Sequence, residues 1–158
     1  MNEHLHYIET LANNALKSID CTEPPVPVDK IAEKLELRVI PFKFPDSISG
    51  VLRKGKKAIG VNEAHHAIRQ RFTIAHEIGH FVLNHGNDED MVDGSFNGGG
   101  SNGIEREANA FASFLLMPRE WVLDRHKKIG LDPKKLAKEF NVSEQAMTIK
   151  LLELDLIK

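Results

Sequence analysis

Apolar residues recur along most of this chain at intervals of three and four. Leu5, Ile8, Leu11, Ala12, Ala15 and Ile19 fall on one face of a helix predicted over residues 3–19. Pro24, Pro25 and Pro27 break that pattern. Residues 29–35 read as a short helix that runs into the strand-like Leu37-Arg38-Val39-Ile40. Two strand patterns, 48–53 and 58–62, flank Lys54-Gly55-Lys56-Lys57, which is a hairpin signal. Asn62 is placed to cap a long helix that stops at Gly86. Ile68, Phe72, Ala75, Gly79 and Val82 form its predicted buried stripe. Residues 87–103 are acidic first and glycine-rich later, and predict one mobile loop. A core helix over 104–116 follows. Pro118 opens the next helix, to about residue 128, Asp132-Pro133 caps one ending at Phe140, and Ser143 caps the last, to about residue 154. The pattern predicts an α+β fold, mostly helical, with a small antiparallel sheet.

Composition narrows the function classes. At 158 residues with a 41% hydrophobic share, the chain predicts one domain with a real core. A formal net charge of −2 carries no global signature of nucleic-acid or membrane binding. No apolar run is long enough to span a bilayer, and Met1–His6 lacks a signal-peptide core. Cys21 is the only cysteine, so no intrachain disulfide forms. These features predict a cytoplasmic protein. Cys21 reads as an ordinary free thiol, with a latent cap on a metal as the sharper alternative.

The chemistry concentrates in His76-Glu77-Ile78-Gly79-His80. Residues four apart lie on one face of a helix, so His76 and His80 can converge on one ion. Zinc takes neutral histidine nitrogens in a tetrahedral shell, and Glu77 sits beside it, placed to take a proton from water. The bland alternative is a pair of helix histidines making ordinary hydrogen bonds. A third protein ligand is needed. Leu83 and Gly86 stand where a longer histidine motif would carry Gly and His. On a continuous helix His85 lies half a circumference from His76, and reads as a solvated residue near the helix end. Glu89 and the aspartates of 87–103 lie on the predicted loop, whereas a rigid element holds a ligand better. That leaves Glu105 and Glu107 on the 104–116 helix. Both flank its apolar arc, so periodicity does not choose between them. Gly79, inside a helix at a cost of about 1 kcal/mol relative to alanine, fits close approach of a second helix.

Arg71-Phe72-Thr73-Ile74-Ala75-His76-Glu77-Ile78-Gly79-His80 resembles the zinc helix of ImmA/IrrE-type metallopeptidases. Glu105-Arg106-Glu107-Ala108-Asn109-Ala110-Phe111-Ala112, with Leu115-Leu116-Met117-Pro118, is similar to that family's second motif. The layout matches over residues 31–154. The resemblance implies a zincin-like fold of the two-His-one-Glu type, with Zn²⁺ as cofactor. It assigns His76, His80 and Glu107 as ligands, since the ligand Glu in that pattern directly precedes Ala-Asn, and Glu77 as the catalytic base. It also implies a protein substrate, a helix-turn-helix transcriptional repressor or an antitoxin.

The division of the chain that follows is 1–128 as the metallopeptidase domain and 129–158 as a helix-turn-helix-like tail packed on it. Asn141 can take the left-handed turn position of such a motif. Residues 119–158 carry nine Lys/Arg against seven Asp/Glu, a weak footing for phosphate contacts, so weak or no nucleic-acid binding is expected. A sheet edge within 48–62 is the predicted seat for an extended substrate. No oxyanion partner stands out among Tyr7, His65, His66 and His126. The alternative function is a non-catalytic, zinc-stabilised regulator that binds a repressor or DNA.

Overall fold

A computed structural model describes residues 1–86, 89–94 and 102–158. Helix α1 (Glu3–Ser18) is capped by Asn2, whose Oδ1 accepts from the Leu5 amide at 2.8 Å, and it buries Ile8, Ala12 and Leu16. Helix α2 (Val28–Lys34) leads into β1 (Arg38–Phe42). Strands β2 (Ile48–Arg53) and β3 (Ala58–Asn62) pair antiparallel across a tight turn in which Lys57 is left-handed. Helix α3 (Ala67–Val82) is followed by a short strand, β4 (Met91–Gly94), and by α4 (Asn102–Leu116). Helices α5 (Arg119–Ile129), α6 (Pro133–Phe140) and α7 (Glu144–Glu153) complete the chain.

The sheet is mixed, in the order β1-β3-β2-β4, with β1 parallel to β3. The antiparallel expectation holds only for the β2–β3 hairpin and for β4. The parallel pairing is set by where α2 delivers β1, which no local pattern reports. β4 lies inside the stretch expected to be one loop. Its four residues are too few for alternation to register, while the expectation for 87–88 and 95–101 falls outside the described residues.

α3 is the element on which the layers meet. It packs against β2 and β3 on one side and α4 on another. Residues 73–80 are all buried, so the predicted stripe was too narrow. Ile68, Phe72 and Val82 are only partly buried, and Ile74 and Ile78 belong to the core instead. Two glycines make the double packing possible. A Cβ on Gly50 would come within 2.6 Å of Thr73 Cγ2 and 2.9 Å of the Gly60 carbonyl. A Cβ on Gly79 would come within 3.1 Å of Phe111 and 3.2 Å of the Ala108 carbonyl. The close helix approach expected at Gly79 is what the structure has.

Two caps differ from expectation. His66, not Asn62, caps α3, its Nδ1 accepting from the Ile68 amide at 3.1 Å. Asn62 is fully buried, and its Nδ2 donates to the carbonyls of Phe44, Pro45 and Ile48. At the other end, α3 stops at Val82, before Gly86, because Asn84 turns left-handed at φ 56°. The tail has the turn its sequence promised, with Asn141 at φ 55°, ψ 50°. Arg71 of α3 donates to the carbonyls of Val26, Phe140 and Asn141, and Leu136, Phe140, Met147 and Leu151 join the core cluster with Ile8 and Ile78.

Overpacking predicts the weak point. Gly50→Ala should destabilise the fold by about 2 kcal/mol, because its contacts are backbone and a β-branched side chain. Thermal unfolding should show a melting temperature lower by about 4–8 °C; an unchanged one would mean that β2 and α3 are not in this contact.

Candidate metal centre

The helical period places the site. At about 100° per residue, Glu77 and Thr73 face β2 while Gly79 faces α4. His76 and His80 then fall in the seam between strand and helix. Their Nε2 atoms lie 3.0 Å apart. Glu105 reaches both from α4, with Oε2 3.0 Å from His76 Nε2 and Oε1 3.1 Å from His80 Nε2. Asp93 reaches both from β4, with Oδ1 at 3.5 Å and 3.4 Å. Metal–ligand bonds of about 2.0–2.1 Å at the tetrahedral angle set ligand atoms about 3.3 Å apart. The distances from the two histidines cluster around that edge length, and all four ligand atoms lie within 4.8 Å of one another. The residues present therefore fit a tetrahedral divalent ion.

Glu107 is not brought to the histidines. Residue 107 is about 200° round the helix from 105, so only one of the two carboxylates can face α3. Glu107 instead accepts from His85 Nε2 at 2.8 Å and from His4 Nε2 at 2.9 Å. The geometry thus places Glu105, and not the expected Glu107, with the two histidines. A signal for it lay in the sequence. Glu105 and Asn109 are four apart, and Asn109 Oδ1 accepts from His76 Nδ1 at 2.8 Å, so one face of α4 supplies both a carboxylate and the group that orients His76.

His85 also differs from expectation. It is buried, because the chain reverses at Asn84 and the His85 amide donates to the His80 carbonyl at 2.9 Å. Its Nδ1 is 2.9 Å from His80 Nδ1. The tautomers that leave both cluster Nε2 atoms free are consistent with one chain of bonds. His80 Nδ1–H donates to His85, and His85 Nε2–H donates to Glu107. Such outer partners fix ring orientation and ligand basicity. Lys54 Nζ donates to the His85 carbonyl and holds the turn.

The charged groups of the cluster act strongly on one another. Burial lowers the His76 pKa, but hydrogen bonds to Asp93 and Glu105 outweigh it and raise it to about 9. Burial likewise opposes the charged forms of Asp93 and Glu105, and the histidines overcome it and hold both carboxyls below their usual range. Metal uptake at neutral pH must displace the His76 proton. Glu77 goes the other way. Full burial first, then the neighbouring Asp93, push its pKa well above the carboxylate range. Neither Glu77 oxygen nor Asp93 Oδ2 has a hydrogen-bond partner among the described residues. Buried polar atoms rarely stay unmatched, and two such carboxyls side by side suit a site for a cation and water.

The other candidates are used elsewhere. His65 Nε2 bonds the Asp46 carbonyl at 3.0 Å, and Tyr7 is exposed on α1. Cys21 Sγ faces the Glu23 carbonyl, outside the cluster. A cavity of about 1200 Å³ runs between α1, α4 and α7, and meets the centre only through Phe72 and Asn109 among its lining residues.

Two helices and a strand that converge two histidines, a glutamate and an aspartate define a zincin-like α+β domain with a metal-type site. Residues 32–152 match the Peptidase_M78 family, described as the IrrE N-terminal-like domain, and the chain belongs to that family. The membership supports a metallopeptidase-type function. No curated protein matches the chain. Among solved structures, a Mycobacterium tuberculosis transcriptional regulator is similar, with a TM-score of 0.67 at 17% identity, over 92% of this chain and 46% of that one. This likeness is one of fold, and the chain spans about half the length of that protein.

The two glutamates separate cleanly in a metal assay. Glu105→Ala should lose most bound metal, because it removes a carboxylate shared by both histidines. Glu107→Ala should keep about one ion per chain while binding it more weakly, by about 10–100-fold, through the loss of the His85 anchor. Elemental analysis and competition with a chelator give the result, and the reverse order would restore Glu107 as the ligand.

Proposed function

We propose that the chain is a zinc-dependent endopeptidase of the cytoplasm, acting on a helix-turn-helix repressor or an antitoxin. His76, His80 and Glu105 hold the ion, and Glu77 is the catalytic base. The observation that carries this reading is Glu77, a fully buried carboxyl beside Asp93 whose oxygens have no other hydrogen-bond partner among the described residues, set beside the convergent group of His76, His80 and Glu105. A divalent ion held there supplies Lewis-acid polarisation, which makes water a competent nucleophile near neutral pH. Glu77 takes the proton of the attacking water and returns it to the leaving amine. Asn109 and His85 keep the two imidazoles aimed with Nε2 inward. The substrate class rests on the family resemblance. Among the described residues no helix is long and apolar enough to cross a membrane.

A second reading has an observation in its favour. Four protein groups at one point is the ligand count of a structural zinc site, so a non-catalytic regulator that binds a repressor or DNA also fits. Glu77 speaks against it, because a structural site has no use for a fully buried acid beside its ligands.

Glu77→Gln separates the two. The amide is nearly isosteric but cannot take the proton, so cleavage should fall by orders of magnitude while fold and zinc content persist. The assay is co-expression with a candidate helix-turn-helix repressor, scored by immunoblot. Cleavage at the wild-type rate would remove Glu77 from the chemistry.

The tail gives an independent check. Lys150, on the would-be recognition helix α7, is buried with its Nζ 4.9 Å from the Phe114 ring centre and 3.3 Å from Glu153. The face left for DNA offers Glu144, Gln145 and Glu153. Little binding to duplex DNA is expected at physiological salt, with a shallow salt dependence. A gel shift showing tight, sequence-specific binding that is lost in the triple variant Lys134→Ala, Lys135→Ala, Lys138→Ala would favour the regulator.

A further inference from the structure

Two observations meet at one place. β4 covers the outer edge of β2, and its Asp93 takes the fourth corner of the ligand set. A catalytic centre of this kind needs one coordination position free of protein. It also needs an extended substrate beside it, and strand addition to a sheet edge is the general way to seat one. The expected seat within 48–62 is not open, because β2 and β3 are the inner strands. The free edge of β1 carries Pro41, which lacks a donor, and lies on the far side of β3 from β2.

We propose that β4 is an intramolecular stand-in for substrate: the β2 edge at Gly50 is the seat for an extended segment of the protein substrate, and cleavage requires β4 and Asp93 to leave it. The proposal rests on the peptidase reading. The register carries it. Asp93 stands opposite Gly50, the residue whose missing side chain brings β2 against Glu77; a Cβ there would lie 3.4 Å from Glu77 Oε2. Any strand in that register presents one residue to both the base and the ligands. The pairing skips a residue between Ile48 and Gly50, and Gly94 rests against the Ser47 carbonyl where no side chain fits. The chain's own sequence is thus fitted to this edge.

Apart from the Asp93 contacts to His76 and His80, the attachment is short and partly exposed. β4 has four residues, and Val92 is exposed. Its flank is tied by Arg53 Nε to Asp90 Oδ2 at 2.9 Å, with both side chains about half exposed, and such solvent-screened pairs contribute little. Met91 packs against Gly86 and the core margin. A substrate strand that supplies the same ladder of main-chain bonds replaces most of what β4 gives up.

Cobalt-loaded protein titrated with acetohydroxamate, a small bidentate metal ligand, tests the proposal without any substrate. Wild type, Asp93→Ala and Asp93→Asn are each loaded with Co²⁺, checked for fold by circular dichroism, and followed in the visible spectrum. Each should hold about one Co²⁺. Asp93→Ala should bind acetohydroxamate tighter than wild type by about tenfold or more, and Asp93→Asn, which keeps the shape, should shift the same way by less. Equal affinity in all three proteins overturns the stand-in and leaves the peptidase reading intact. Loss of Co²⁺ from Asp93→Asn overturns it in favour of a closed four-ligand site. Failure of the wild type to take up Co²⁺ overturns both readings.

Discussion

The close packing of α3 between β2 and α4 is the constraint on which the rest depends. A helix with neighbours on two sides has only the seam between them for polar groups. That seam is where His76 and His80 emerge. Gly50 and Gly79 bring the two neighbours near enough for Asp93 to come from the sheet side and Glu105 from the helix side. Widening either contact by one methyl group would separate ligands whose spacing must hold to a few tenths of an ångström. Stability and chemistry are therefore coupled through the same two glycines.

The same packing explains why Glu77 is kept buried despite the cost. An ionised carboxylate without partners is expensive in a dry interior, and burial accordingly pushes the Glu77 pKa upward. A metal ion would reverse that balance by adding positive charge where the carboxyls already gather. His76 shows the mirror image. It is held cationic by the two carboxylates and must become neutral to ligate. Asp93 and Glu105 are already ionised as ligation requires, whereas His76 must give up a proton, which ties metal loading to proton release.

Much of this was legible in the sequence, for reasons that mark its limits. The β2–β3 hairpin, α4 and the three last helices carried strong local signals in turn residues, caps and 3.6-residue periodicity, and they appear within a residue or two of expectation. His76, Glu77 and His80 were legible because one helical turn fixes their relation. Glu105 was not separable from Glu107 by amphipathicity, since both flank the apolar arc. The resemblance then favoured the residue next to Ala108, whereas the pairing of Glu105 with Asn109 one turn on was the better local clue. His85 was misplaced by extending α3 past Val82, where Asn84 in the left-handed region ends it. Asp93 and the parallel β1 were beyond local reading, because both depend on contacts between segments far apart in the chain.

What joins these points is a difference in stiffness within one site. His76, His80, Glu77 and Glu105 stand on long helices that share the core, and moving any of them disrupts many contacts at once. Asp93 stands on a four-residue edge strand with one exposed flank. Local opening is cheapest where few apolar contacts and short ladders are lost. A site of three candidate ligands on helices and one on a short edge strand has one corner where the backbone is least anchored, although Asp93 itself is buried and paired with both histidines. In this fold that corner is where the base, the sheet edge and the ligand set meet, so a single local displacement changes both coordination and strand pairing.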